Sequence, residues 1–164
     1  MRAYLIAVPI LMTVHNLEEL VGGLPALRPA LQARLPEALA PLVGSADGWL
    51  LAIVVVTVIP WAALLLGGLD RHDSPAARTL VAVQAVMTFN VLSHVGGAVL
   101  LRGYSPGIVT SLLLYVPFSA RFFPRAWREE WVTRRLMRWL PGIVLVLHGP
   151  GLLGLLALCS MIVT

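Results

Sequence analysis

Three of the four histidines and two of the eight acidic residues of this 164-residue chain fall inside stretches that otherwise read as membrane helix. His15, Glu18 and Glu19 lie in Ala3–Gly23, His94 in Ala76–Arg102 and His148 in Pro141–Val163. A charged side chain at bilayer depth costs roughly 2.5–3.5 kcal/mol on insertion scales, so five ionisable groups there point to a shared polar site. His15 stands three residues before Glu18 and four before Glu19. Both spacings put side chains on one helix face. Helical bundles build metal sites from an imidazole and a carboxylate spaced in this way, as in the Glu-x-x-His pairs of di-iron bundles. Asn90 and His94, four apart, give their helix a polar stripe of its own. His148 precedes Gly149-Pro150-Gly151, which should break or kink the last helix. Such irregularity at membrane depth is tolerated where it is buried or lines a cavity.

Three imidazoles and two carboxylates suit zinc or non-haem iron, as one ion or two. The candidate ligands are His15, Glu18, Glu19, His94 and His148. Glu18 and Glu19 diverge by about 100° around the helix, so one can ligate while the other acts as general base, bridge, support for a ligand or helix-packing residue. Tyr104 is a candidate proton donor or orienting group above the site. Asn90 and Asn16 are placed to support the ligands or touch substrate. His72 sits in the polar stretch Asp70-Arg71-His72-Asp73 and reads as solvated.

The elements that must position these groups are membrane helices. Hydrophobic residues make up 59% of the chain and charged residues only 12%, which excludes an ordinary soluble domain. A spanning helix needs about 20 mostly apolar residues. Five segments qualify: Ala3–Gly23, Gly48–Leu69, Ala76–Arg102, Tyr104–Phe122 and Trp139–Val163. The reading is a single transmembrane domain over residues 1–164, an all-α bundle of five spans with short amphipathic interfacial helices. Leu27, Leu31, Leu35 and Leu39 recur every four residues in the connection Leu24–Asp47, as an interfacial helix would require. Trp127, Trp131 and Trp139 among Arg and Glu mark Phe123–Arg138 as a second surface helix. The first apolar run is read as a retained span rather than a signal peptide, because no small-x-small cleavage site precedes its polar cluster. Cys159, the lone cysteine, carries no disulfide within the chain.

All twelve basic residues are Arg. Arg2, Arg71, Arg78, Arg121, Arg125, Arg128, Arg134, Arg135 and Arg138 fall on one side of the five-span reading, and Arg28, Arg34 and Arg102 on the other. By the positive-inside rule the N-terminus is cytoplasmic and the C-terminus outside. The basic excess is therefore explained by topology and contact with anionic membrane lipids, not by nucleic acid.

His15-Asn16-Leu17-Glu18-Glu19, followed by His94, Tyr104-Ser105-Pro106-Gly107 and His148-Gly149, resembles the motif series of the HXXEE family of small integral membrane proteins. The resemblance covers nearly the whole chain. It implies a membrane-embedded, metal-dependent enzyme and supplies neither substrate nor reaction.

The leading expectation is thus an intramembrane metalloenzyme acting on a hydrophobic, lipid-like substrate, by zinc-type hydrolysis or di-iron-type oxidation. The alternatives are a metal-free acid–base isomerase or cyclase of an isoprenoid-like substrate, and a proton- or metal-coupled transporter. Five spans are few for alternating access unless the chain forms a homo-oligomer.

Overall fold

The computed structural model describes residues 1–33, 37, 40–69 and 71–163, and among these no strand occurs. The helices are α1 (Arg2–Val21), α2 (Arg28–Gln32), α3 (Ala46–Leu66), α4 (Pro75–Leu101), α5 (Ile108–Thr110), α6 (Val116–Arg128), α7 (Arg134–Val146) and α8 (Leu152–Val163). A π-helical turn at Ser111–Tyr115 joins α5 to α6, and another at Leu147–Gly151 joins α7 to α8. Proline explains the second of these turns. Pro150 has no N–H to give to Val146, and a widened turn absorbs the defect.

Local signals set the helix ends. Ser45, Ser74 and Thr133 each accept a hydrogen bond from the backbone N–H three residues on, at Gly48, Ala77 and Leu136. Pro75, at the first position of α4, lacks only an N–H that would be orphaned there anyway. Arg102 closes α4 in the left-handed conformation.

Four helical stretches are long and apolar enough to cross a membrane: Arg2–Val21, Ala46–Leu66, Pro75–Leu101 and the joined run Arg134–Val163. The fifth expected span, Tyr104–Phe122, is not among them. Residues 104–107 form a turn, and the helical run from Ile108 continues to Arg128 through Arg121 and Arg125, which lowers its apolarity. It nevertheless lies alongside the others. Its start meets the end of α1, where Thr110 N–H bonds Glu18, and Glu129 just past its end pairs with the Met1 amino group at 3.7 Å. One end of the bundle therefore gathers Met1, Leu66, Pro75 and Arg134, and the other gathers Val21, Ala46, Leu101 and Ile108.

The expected surface helix over Phe123–Arg138 does not form as one element. α6 runs on to Arg128, α7 starts at Arg134, and only five residues reverse the chain between them. Trp131, expected in an interfacial belt, is fully buried in this reversal. It packs edge-on to Phe122 at 5.2 Å and against Tyr4 at 5.6 Å, and its Nε1–H donates to Glu129 at 2.8 Å. Leu5, Val8, Leu80, Val81, Phe122 and Leu140 complete this core at the Met1 end. Trp127 and Trp139 do stay at the surface. Between α1 and α3 the chain makes two short 3-10 turns around α2. Leu35 and Leu39 of the proposed leucine stripe, with Arg34, lie outside the described residues.

Asp73 fastens the Met1 end. It accepts from Arg78 at 3.0 and 2.5 Å and from the Thr133 N–H at 3.1 Å, while its own N–H donates to the Trp131 carbonyl. The Arg78 guanidinium holds this exposed carboxyl below the usual carboxylate range. His72 is exposed, with Nδ1 2.9 Å from the Glu130 carbonyl.

Candidate metal centre

α1 and α4 pack side by side and bring His15, Glu19 and His94 together, at 0%, 7% and 5% exposure. One oxygen of Glu19 lies 3.4 Å from His15 Nε2 and 3.3 Å from His94 Nε2. The two rings meet edge to face, 4.9 Å apart. Asn90, one turn before His94, places its amide nitrogen 2.9 Å from His94 Nε2 and 3.4 Å from His15 Nε2. Four polar groups thus converge on one point in an apolar bundle. Among the described residues these three side chains are the group able to hold a metal ion.

The hydrogen-bond network orients His15. Thr110 donates its hydroxyl proton to the Gly107 carbonyl at 3.3 Å, which leaves its oxygen to accept from His15 Nδ1–H at 2.7 Å. The lone pair of His15 is then on Nε2, aimed at Glu19. Tyr115 walls the ring at 5.3 Å and is fully buried. In this arrangement a lone pair faces a carboxylate oxygen in a site of low dielectric. That contact is repulsive unless a cation or an added proton sits between them.

Residues 104–107 clamp the site from the Val21 end. Gly107 has φ +87°, and a Cβ there would stand 2.5 Å from His94 Cε1 and 2.9 Å from His15 Cε1. Only glycine lets the backbone lie against both rings. Pro106 and the Tyr104 hydroxyl press on Gly22, where a Cβ would meet them at 2.9 and 3.0 Å.

Glu18, expected among the ligands, turns away from this group. Its carboxylate accepts from the Tyr104 hydroxyl at 2.9 Å and from the N–H groups of Val109 and Thr110 at 3.0 and 2.7 Å. It satisfies the first free amides of the 108–128 run and ties them to α1. Tyr104, expected as a proton donor or orienting group over the site, bonds Glu18. His148 falls outside the ligand group as well. Its Nε2 lies 2.8 Å from Ser93 Oγ, and its ring stands edge-on to Phe89. The start of α7 at Arg134, earlier than expected, brings His148 level with His94. Asn16 donates to Thr57 at 2.5 Å and ties α1 to α3.

A cavity of about 300 Å³ opens beside the group, between α1, α3, α4 and α8. Glu19, His94, Asn90, Asn16, Ser93, Ser105 and His148 supply its polar surface, and most of the remaining lining is apolar. Ser93 is exposed and His148 half-buried, so their bond lies at its rim.

Sequence reasoning missed Thr110, Ser93 and the packing role of Gly107. Gly107 carried a signal, since a glycine directly after proline in a short connection marks a special backbone conformation. Thr110 and Ser93 carried none.

No curated protein and no solved structure matches this chain. Residues 6–122 match the family model described as a protein of unknown function with HXXEE motif, a stretch that holds His15, Glu18, Glu19, His94 and Tyr104–Gly107 but ends before His148. By that match, over more than half its length and all of the convergent group, the chain belongs to the HXXEE family.

Proposed function

We propose that this protein is a membrane-embedded, metal-dependent enzyme acting on a hydrophobic, lipid-like substrate. The approach of His15 Nε2 and His94 Nε2 to a single Glu19 oxygen, at 3.4 and 3.3 Å, carries the reading. Ligand atoms about 2.0–2.1 Å from a tetrahedral zinc ion stand about 3.3 Å from one another. His15, His94 and Glu19 would hold the ion. An end-for-end turn of the Asn90 amide would add its oxygen as a fourth ligand. Zinc would supply Lewis acidity and water activation there, and iron would supply oxygen chemistry.

The chain's own residues supply the rest. Thr110 and Gly107 fix the His15 ring, and Glu18 holds the turn that carries them. His148, with Ser93 on its Nε2, stands at the rim where a proton can pass to or from a substrate atom. The apolar walls exclude water. The arginine-rich Met1 end faces the cytoplasm and the Val163 end the outside.

A second reading draws on the same contact. A proton held between Glu19 and the imidazoles relieves their repulsion as a metal does, and would suit an acid–base isomerase or cyclase. Elemental analysis of the detergent-purified protein beside Glu19→Gln and His94→Ala decides between them. The expected result is about one zinc or iron per chain, lost in both variants. A wild-type protein that stays metal-free after reconstitution would overturn the metal reading in favour of the acid–base one.

A further inference from the structure

The cavity carries its polar groups at its middle, and the buried Ser105 adds a hydroxyl packed at Gly97, one turn past His94. Along α4 the lining passes from Val86 and Met87, through Asn90, Ser93 and His94, to Leu100 and Leu101. α1 repeats the order, with Met12 first, Asn16 and Glu19 next, and Leu24 beyond its end. From Val86 to Leu101 is about 22 Å of helix axis at 1.5 Å per residue. A volume of about 300 Å³ drawn out over that length is one chain wide.

Its charge is as informative. The described lining contains no arginine, and the sequence contains no lysine. Phosphate and carboxylate headgroups are recognised by guanidinium forks or paired cations. Here a terminal anion would lie at one apolar end, desolvated and unpaired, while the Glu19 group faced hydrocarbon.

We infer that the substrate is a single long apolar chain whose uncharged reactive group, such as a carbonyl, epoxide, hydroxyl or alkene, lies in its interior with hydrocarbon on both sides. This rests on the Glu19 group being the reactive centre. The exposed Ser93 at the rim fits entry from the side of the bundle rather than presentation of a headgroup from water.

The test is binding of four probes to the full-length protein in detergent, read by native mass spectrometry. The probes are a hexadecanone with its carbonyl at mid-chain, the isomeric methyl ketone, palmitate and hexadecyl phosphate. The mid-chain ketone should bind at least about tenfold tighter than the other three, because only it matches polar to polar and apolar to apolar. Equal or tighter binding of any of the other three overturns the inference, and so does no binding of the mid-chain ketone. Ala52→Phe and Val56→Phe, which narrow the cavity on α3, should each weaken the mid-chain ketone by a similar factor. Undiminished binding to both, with unchanged thermal melts, also overturns it. Metal content read on the same samples separates the two claims. A mid-chain preference without metal sinks the metal reading alone, and metal with a preference for a terminal anion sinks this inference alone.

Discussion

Glu18 and Glu19 are adjacent in the chain and opposite in task. The Glu19 oxygen faces the two imidazole nitrogens of His15 and His94. The Glu18 oxygens face the amides of Val109 and Thr110 and the Tyr104 hydroxyl. A helix turns about 100° per residue, so one pair of acids serves two neighbouring structures.

The two amide variants should therefore part company. On the proposed reading, Glu19→Gln removes the anionic ligand and should abolish stoichiometric metal while leaving helix content unchanged. Glu18→Gln weakens a helix cap and should cost about 1–2 kcal/mol of stability. It should reduce metal affinity by roughly 10–100-fold through the displaced turn. Metal analysis beside thermal melts followed by circular dichroism checks both.

The Thr110 hydroxyl determines which nitrogen of His15 is free. Thr110→Val keeps the shape and loses the acceptor, so metal affinity should fall roughly 10–100-fold. Thr110→Ser should restore most of it. Equal affinity in wild type and valine variant would show that the ring needs no such support.

Gly107→Ala combines an unfavourable φ, at about 1–3 kcal/mol, with a Cβ driven into both imidazole rings. Metal should be lost at temperatures where the bundle is still helical. Gly149→Ala, whose Cβ meets open space, is the matched control.

His148 is separated from the ligand group, so His148→Ala should keep the metal of the wild type. With a turned-over substrate in hand, kcat should fall by about 10²–10⁴-fold, the range for a lost proton-transfer group. Loss of metal in this variant would return His148 to the ligand set.

Acid should loosen the Met1 end first. The Asp73 carboxyl is held low by Arg78, so its contribution is complete above the unfolded value of about 3.9 and is lost as pH falls through the lower folded value. Melting temperatures should drop as the pH falls below about 4. Asp73→Asn should melt lower at pH 5 and show a shallower drop, as thermal melts across that range will reveal.

Much of this was legible in the residues. Apolar length marked the four helices long enough to cross a membrane, and the high cost of burying charge marked His15, Glu19 and His94. What escaped depends on contacts far apart in sequence. Spacing alone placed Glu18 on the face of His15, and only the arrival of Val109 and Thr110 shows where its carboxylate goes. The same holds for Trp131. An indole among arginines resembles an interfacial anchor until the reversal at residues 129–133 folds it under Phe122. Tyr104–Phe122 is not among the four membrane-length helices because its last third runs without a break into α6 and its arginines.

The bond between Glu18 and Thr110 joins residues 92 apart, and that between His15 and Thr110 residues 95 apart. Chains are made at about 5–20 residues per second, so α1 waits roughly 5–20 s after its own synthesis for the groups that complete it. Through that interval two carboxylates and an imidazole sit on a helix of only moderate apolarity without the groups of α4 and residues 104–110 that meet them. α1 should therefore enter the bilayer late, held at the insertion machinery or the interface until the turn at residues 104–110 emerges. Truncation before that turn should leave a chain that the cell's membrane quality control removes.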